Sequence, residues 1–265
     1  MLRKGDLTQG GITGTLLHFT LPMLVGSFLQ QCYNIADTLI VGQCIGAGAL
    51  AAVGSAYTLM VFLISVLLGL AMGSGTVFSL HYGAGNHVAL RRSIFSSFAL
   101  IGIVTLILNV VVFIWLDPIL RLLQVPQDIY GMMRSYLWII FCGIVFTFIY
   151  NFYASLLRAV GDSVTPLWFL AVSVVLNIAL DLFFILQLDW GIQGAAAATV
   201  LAQGVAALGI IIYTYRRRPE LRWHHEDMCF DRTCLKEIAS FSTLTCVQQS
   251  VMNLGILMIP VSYTH

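Results

Sequence analysis

Asn177 and Asp181 stand four positions apart in VVLNIALDLFF, residues 174–184, in the middle of a long apolar run. On a helix that spacing puts the amide oxygen and the carboxylate on one face, aimed at a common volume. An aspartate at the centre of a membrane helix costs about 2.5–3.5 kcal/mol, so an acid kept there is first read as part of a functional site. Asp37, in YNIADTLIVGQ, is a second acid in an apolar run, and Thr199 offers a hydroxyl in a third. Oxygen ligands of this kind suit a small hard cation such as Na⁺. Two carboxylates held near each other away from bulk water also titrate as a coupled pair, so a proton could fill the same role. The competing reading makes these groups hydrogen-bonding glue between helices, worth about 0.6–2 kcal/mol each.

The elements that must carry these residues are membrane helices. Of the 265 residues, 59% are hydrophobic and 9% charged, and the mean hydropathy is +0.90. That balance marks an all-α, polytopic membrane bundle whose first partner is the lipid bilayer. A net charge of +1 implies no attraction to nucleic acid. About 20 apolar residues cross the hydrocarbon core, and runs of that length predict spans near 13–39, 48–80, 93–116, 130–157, 165–187 and 191–215, with a seventh starting near 234. Connectors such as HYGAGNHVALRR, RAVGDSVTP and LDWG separate them. With a cytoplasmic N-terminus, all of the 13 Lys and Arg residues except Arg121 and Arg134 fall on the cytoplasmic side, as the positive-inside rule requires. In that orientation the fifth span turns near Asp189, so Asp181 lies roughly 12 Å below its outer end. Thr199 sits at a similar depth on the sixth span, which a short hairpin makes a neighbour of the fifth. Asp37 falls in the same outer half on the first span, where Pro22 removes a backbone hydrogen bond and permits a bend.

Other residues point less far. The six cysteines, Cys32, Cys44, Cys142, Cys229, Cys234 and Cys246, contain no C-x-x-C pair and read as free thiols. His224, His225, Cys229 and Cys234 match no standard zinc spacing and read as a solvated loop, which leaves no metal call beyond Na⁺ at the acid site. Gly69 and Gly73 in GLAMGSG form a small-xxx-small element that predicts close helix packing. Tyr33, Asn34 and Tyr150, with the rings of Trp138 and Phe152, are candidates to line a cavity or to pack in the core. No Walker A loop, G-x-S-x-G, H-E-x-x-H or acidic prenyl-diphosphate cluster occurs, so neither enzyme chemistry nor ATP-driven pumping finds its residues, and no cofactor is expected beyond a coupling Na⁺ or H⁺.

LPMLVGSFLQQCYNIADTLIVGQCIGAGALAAVGSA, GLAMGSGTVFSLHYGAGN, RAVGDSVTPLW and LNIALDLFFI together resemble the multidrug and toxic compound extrusion (MATE) family. The resemblance implies twelve helices in two six-helix lobes and the export of cationic amphipathic compounds in exchange for Na⁺ or H⁺. It carries a cation or proton site onto Asp37, Asn177, Asp181 and Thr199, and a helix-bending role onto Pro22. Some branches place a glutamate on the seventh helix; the comparable stretch here has Gln248 and Gln249, which favours coupling in the first lobe.

The resulting expectation is a first lobe over residues 1–215, a cytoplasmic loop over 216–233 and the truncated start of a second lobe over 234–265. The ending VSYTH suggests a fragment or a frameshifted reading frame, to be completed by the missing lobe or a second copy. The expected location is the plasma membrane, a bacterial inner membrane, and the expected activity is cation-coupled multidrug efflux. Two alternatives stand beside it: a flippase for a lipid-linked sugar, which calls for a basic cavity, and a membrane fragment that transports nothing.

Overall fold

The computed structural model describes residues 12–222 and 232–263, which form an all-α bundle with no strand among the described residues. Residues 1–11, with Arg3 and Lys4, and residues 223–231, with His224, His225 and Cys229, lie outside the described residues. The helices are α1 (Ile12–Cys44), α2 (Ala47–Gly83), α3 (His87–Leu122), α4 (Gln127–Cys142), α5 (Ile144–Ala159), α6 (Val164–Leu182), α7 (Gly191–Arg217) and α8 (Arg232–Tyr263). They begin and end where the sequence supplies stops. Asn86 caps α3 by accepting the Ala89 N–H at 3.1 Å, and Asp162 accepts both the N–H and the hydroxyl of Thr165 at the start of α6.

Every predicted span has a counterpart, with one difference. The fourth is broken at Gly143 into α4 and α5, which meet at 48°. A helix interior that ends in glycine bends cheaply, and close packing explains why glycine is needed here. A Cβ on Gly143 would stand 2.5 and 2.6 Å from the two γ-methyls of Val200 on α7. By length and apolarity α2, α3, α7 and α6 with its extension to Gln187 each suffice to cross a membrane, and α4 with α5 forms one broken span.

Apolar residues face outward as well as inward, as lipid as a solvent allows. Phe28, Ile35, Ile107, Ile114, Trp168 and Val175 are among the exposed ones. Inside, Phe78 of α2, Phe98 of α3 and Phe148 and Phe152 of α5 join ring to ring at 5.2–6.0 Å. This aromatic cluster holds three helices together through large, shape-matched contacts.

The two ends of the bundle differ in charge. Arg91 and Arg92 open α3, Arg158 lies at the last turn of α5, and Arg216, Arg217 and Arg218 close α7, all at one end. There Arg218 reaches Asp162 at 3.6 Å and Glu220 at 3.5 Å, tying the end of α7 to the start of α6. At the opposite end Asp117 accepts from Arg134 Nε at 2.7 Å and from the Tyr130 hydroxyl at 2.8 Å, bracketing the α3–α4 turn.

The contact between Gly143 and Val200 predicts that Gly143→Ala lowers stability by about 1–3 kcal/mol through overpacking. Val200→Ala in the same chain should recover part of that loss. Thermal unfolding of the four members of this double-mutant cycle in detergent measures both, and purely additive effects would contradict the contact.

Candidate functional site

The site is built on three helices and one hairpin. Tyr33 and Asp37 lie one turn apart on α1, Asn177 and Asp181 one turn apart on α6, and Thr199 follows on α7. α1 packs mainly against α6, and α6 against α7, so the three faces converge. Asp181 is fully buried, Asn177 is 1% exposed, Thr199 7% and Asp37 8%.

The α6–α7 hairpin sets the register. Directly after Asp181 and Leu182 the helix widens into a π turn, Phe183–Gln187. The extra residue in that turn rotates everything beyond it relative to Asp181, a feature frequent beside functional groups. The chain then reverses through Asp189 and Gly191, whose φ angles are +54° and +55°. The Trp190 ring stacks on Phe184 at 5.1 Å. Gly194 lets the two helices meet, since a Cβ there would be 3.0 Å from Phe184 Cβ.

A directed chain of hydrogen bonds runs through the site. The Asn177 carboxamide is oriented with its nitrogen toward Asp181, donating to Oδ2 at 2.9 Å, while its oxygen accepts from the Thr199 N–H at 3.2 Å. The reverse orientation would set two acceptors against each other. The Thr199 hydroxyl lies 3.3 Å from the carboxamide and 3.2 Å from the Tyr33 hydroxyl. With the carboxamide oxygen as acceptor, Tyr33 donates to Thr199 and Thr199 donates to Asn177. The chain ends at Asp181 Oδ2, with Asp37 of α1 close by.

Two acceptors remain over. Among the described residues neither Asp37 Oδ1 nor Asp181 Oδ1 has a hydrogen-bond partner, although both are buried. An unpaired carboxylate oxygen away from water is costly. A cation bridging α1 and α6, or a further proton, would remove that cost.

All four residues of the expected ion site are therefore brought together, and Tyr33 joins them. The other cavity candidates are placed elsewhere. The Tyr150 hydroxyl donates to the Pro166 carbonyl at 3.0 Å and ties α5 to α6, and Asn34 donates to Gln31 at 3.3 Å along α1. Trp138 packs edge-on against Phe113 at the surface, and Phe152 is core. Pro22 lies inside α1, fifteen residues before Asp37, in a helix that continues unbroken to Cys44. Two further features had no sequence signal. Tyr136 of α4 is buried close enough to feel the charges of Asp37 and Asp181. Beside Thr199 a cavity of about 20 Å³ is bordered by Thr147 and Gln203, which hydrogen-bond to each other. It has room and polar partners for one water molecule.

The hydrogen-bond chain predicts unequal costs. Asn177→Leu strands Asp181 Oδ2 and should lower stability by about 1–3 kcal/mol, whereas Tyr33→Phe, which leaves Thr199 its carboxamide partner, should cost about 0.5–1.5 kcal/mol. Thermal unfolding of both variants in detergent measures the order, and a larger loss for Tyr33→Phe would refute it.

Residues 22–183 match the family model described as MatE. The chain is 35% identical over 217 residues to the probable multidrug resistance protein YpnP of Bacillus subtilis, covering 82% of this chain and 49% of that protein. It thus spans about half the length of the curated relatives it matches. An outward-facing multidrug resistance MATE transporter of the MOP superfamily superposes with a TM-score of 0.90 at 24% identity, covering 97% of this chain and 57% of that one. An inward-facing structure of such a transporter superposes with a TM-score of 0.77 at 25% identity, covering 91% and 55%.

Proposed function

The chain belongs to the multidrug and toxic compound extrusion family, and from that premise we propose that it supplies the coupling half of an antiporter exporting lipophilic cationic compounds in exchange for Na⁺ or H⁺. Members of the family are transporters, not enzymes. Residues 1–215 form the first lobe in this reading, 216–233 the inter-lobe loop and 234–265 the opening of the second lobe. The rest of the second lobe, or a second copy, completes the pathway.

The observation that carries the reading is the pair of unpartnered, buried carboxylate oxygens, Asp37 Oδ1 and Asp181 Oδ1, on the two packed helices α1 and α6. Packing glue would leave neither oxygen over. A bound Na⁺ would draw both acids onto one centre and take further oxygen from Asn177 or Thr199. A proton would instead bridge the acids or neutralise the second of them. Either ion changes the force between α1 and α6, and α1 is the helix free to respond. Its other face, with Leu17, Leu21, Leu24 and Phe28, is exposed, and Pro22 weakens its hydrogen-bond ladder. Occupation of the site thus biases the shape of α1 and the state of the transporter. Each elementary charge moved inward across 100 mV contributes about 2.3 kcal/mol to the cycle.

The concentration of arginine at the ends of α3, α5 and α7 supports a cytoplasmic location for that end of the bundle, with the N-terminus on the same side. The membrane is then the plasma membrane, the inner membrane of a bacterium.

Asp181→Asn keeps the shape and the hydrogen bond to Asn177 within reach but removes the charge. In the two-lobe protein, reconstituted in vesicles under separately imposed sodium and pH gradients, the variant should insert normally and lose gradient-driven efflux. Efflux equal to that of the parent under both gradients would rule out this site as the coupling centre. The gradient that drives the parent identifies the ion.

A further inference from the structure

We propose that the tip of the α6–α7 hairpin is a binding site for a lipophilic organic cation, formed by the Asp189 carboxylate, the Trp190 indole and the Gln193 carboxamide. The class of occupant rests on the antiport reading, to which the site adds a stopping place at the end of the bundle away from the arginines. Asp189, Trp190, Gln193 and Ala197 of the hairpin and Ile139 of α4 line an open pocket of about 490 Å³, a size that accepts a drug-sized molecule. Asp189, Trp190 and Gln193 are exposed, whereas Ile139 and Ala197 are half-buried. The pocket thus offers a charge, a ring and an amide together with an apolar wall. Gln193 lies about 9 Å along α7 from Thr199, so the pocket is separate from the ion site.

The hairpin holds these groups firmly. Asp189 takes a left-handed backbone conformation at φ +54°, a region that aspartate and asparagine tolerate better than other residues with a side chain. Phe184, buried in the π turn, covers one face of the Trp190 ring at 5.1 Å and 23° between planes. The same ring borders the pocket, where its π electrons attract a cation. Electrostatics fix the sign of the ligand. Of the two basic residues expected at this end, Arg134 is held by Asp117 at 2.7 Å, and Arg121 stands close enough to feel the same carboxylate. Among the described residues the Asp189 side chain forms no ion pair or hydrogen bond, and no basic residue lines the pocket. An uncompensated carboxylate beside an indole rejects anions and favours a cation. A small inorganic cation needs several oxygens around it, and an open pocket with one carboxylate and one amide does not supply them. A large cation with a thin hydration shell gains from the ring, the apolar wall and the charge together.

Ala197→Cys, in an otherwise cysteine-free background of the two-lobe protein, puts a single thiol on the pocket wall. Its rate of reaction with the neutral reagent N-ethylmaleimide is measured with tetraphenylphosphonium, a lipophilic cation, and with tetraphenylborate, an anion of nearly the same shape. Saturating tetraphenylphosphonium should slow the reaction by at least about tenfold, and tetraphenylborate should leave it unchanged. Asp189→Asn, which keeps a residue suited to the left-handed turn, should raise the tetraphenylphosphonium concentration for half protection by about tenfold. Absence of protection, equal protection by the two ions, or protection unchanged in Asp189→Asn overturns the site and leaves the antiport reading standing. Absence of gradient-driven efflux of the same cation from vesicles overturns the antiport reading, whatever the thiol reports.

Discussion

Two carboxyl groups brought together inside an apolar bundle are the constraint on which the rest of the molecule turns. Each acid alone would be expensive to bury, and a pair is tolerable only if charge is shared with a proton, a cation or donors aimed at it. The surrounding residues answer that need in part. Asn177 gives one N–H to Asp181, Thr199 and Tyr33 fix the carboxamide that gives it, and one oxygen on each acid is left over. The network is therefore only partly satisfied, which sets it apart from a purely structural hydrogen-bond network.

The architecture around the pair holds its two acids in different ways. α6 and α7 are rigidly joined by the π turn, the Phe184–Trp190 stack and the glycine contact at Gly194. α1, which brings Asp37, leans chiefly on α6 and carries a proline in its own ladder. One acid thus sits on a helix fixed to its neighbour, and the other on a helix whose hydrogen-bond ladder a proline interrupts.

Packing inside the bundle divides along the same lines. Aromatic rings in α2, α3 and α5 interlock and tie the three helices to one another. Small residues meet where α8 crosses α2, and there the two backbones approach closely. In lipid no hydrophobic force separates these two cases; the amount of matched surface and the fate of the hydrogen bonds do.

The sequence by itself determined the all-α membrane bundle, its spans, and the identity of Asp37, Asn177, Asp181 and Thr199 as one group. Apolar run length, charge placement and the i, i+4 spacing are local properties, and the depth of a residue along a helix of known rise is simple arithmetic. The break at Gly143 was not legible, because a glycine in an apolar run reads as helix until Val200 is known to press against it. The π turn after Asp181 was equally hidden, since one inserted residue leaves hydropathy unchanged. Tyr136 looked like any core tyrosine, and Gly69 and Gly73 announced a close contact without naming α8 as the partner. Only the tertiary structure decided which oxygens meet and which are left over, because side-chain direction across helices depends on rotation and packing angle, and neither is written in the spacing of residues along any single helix.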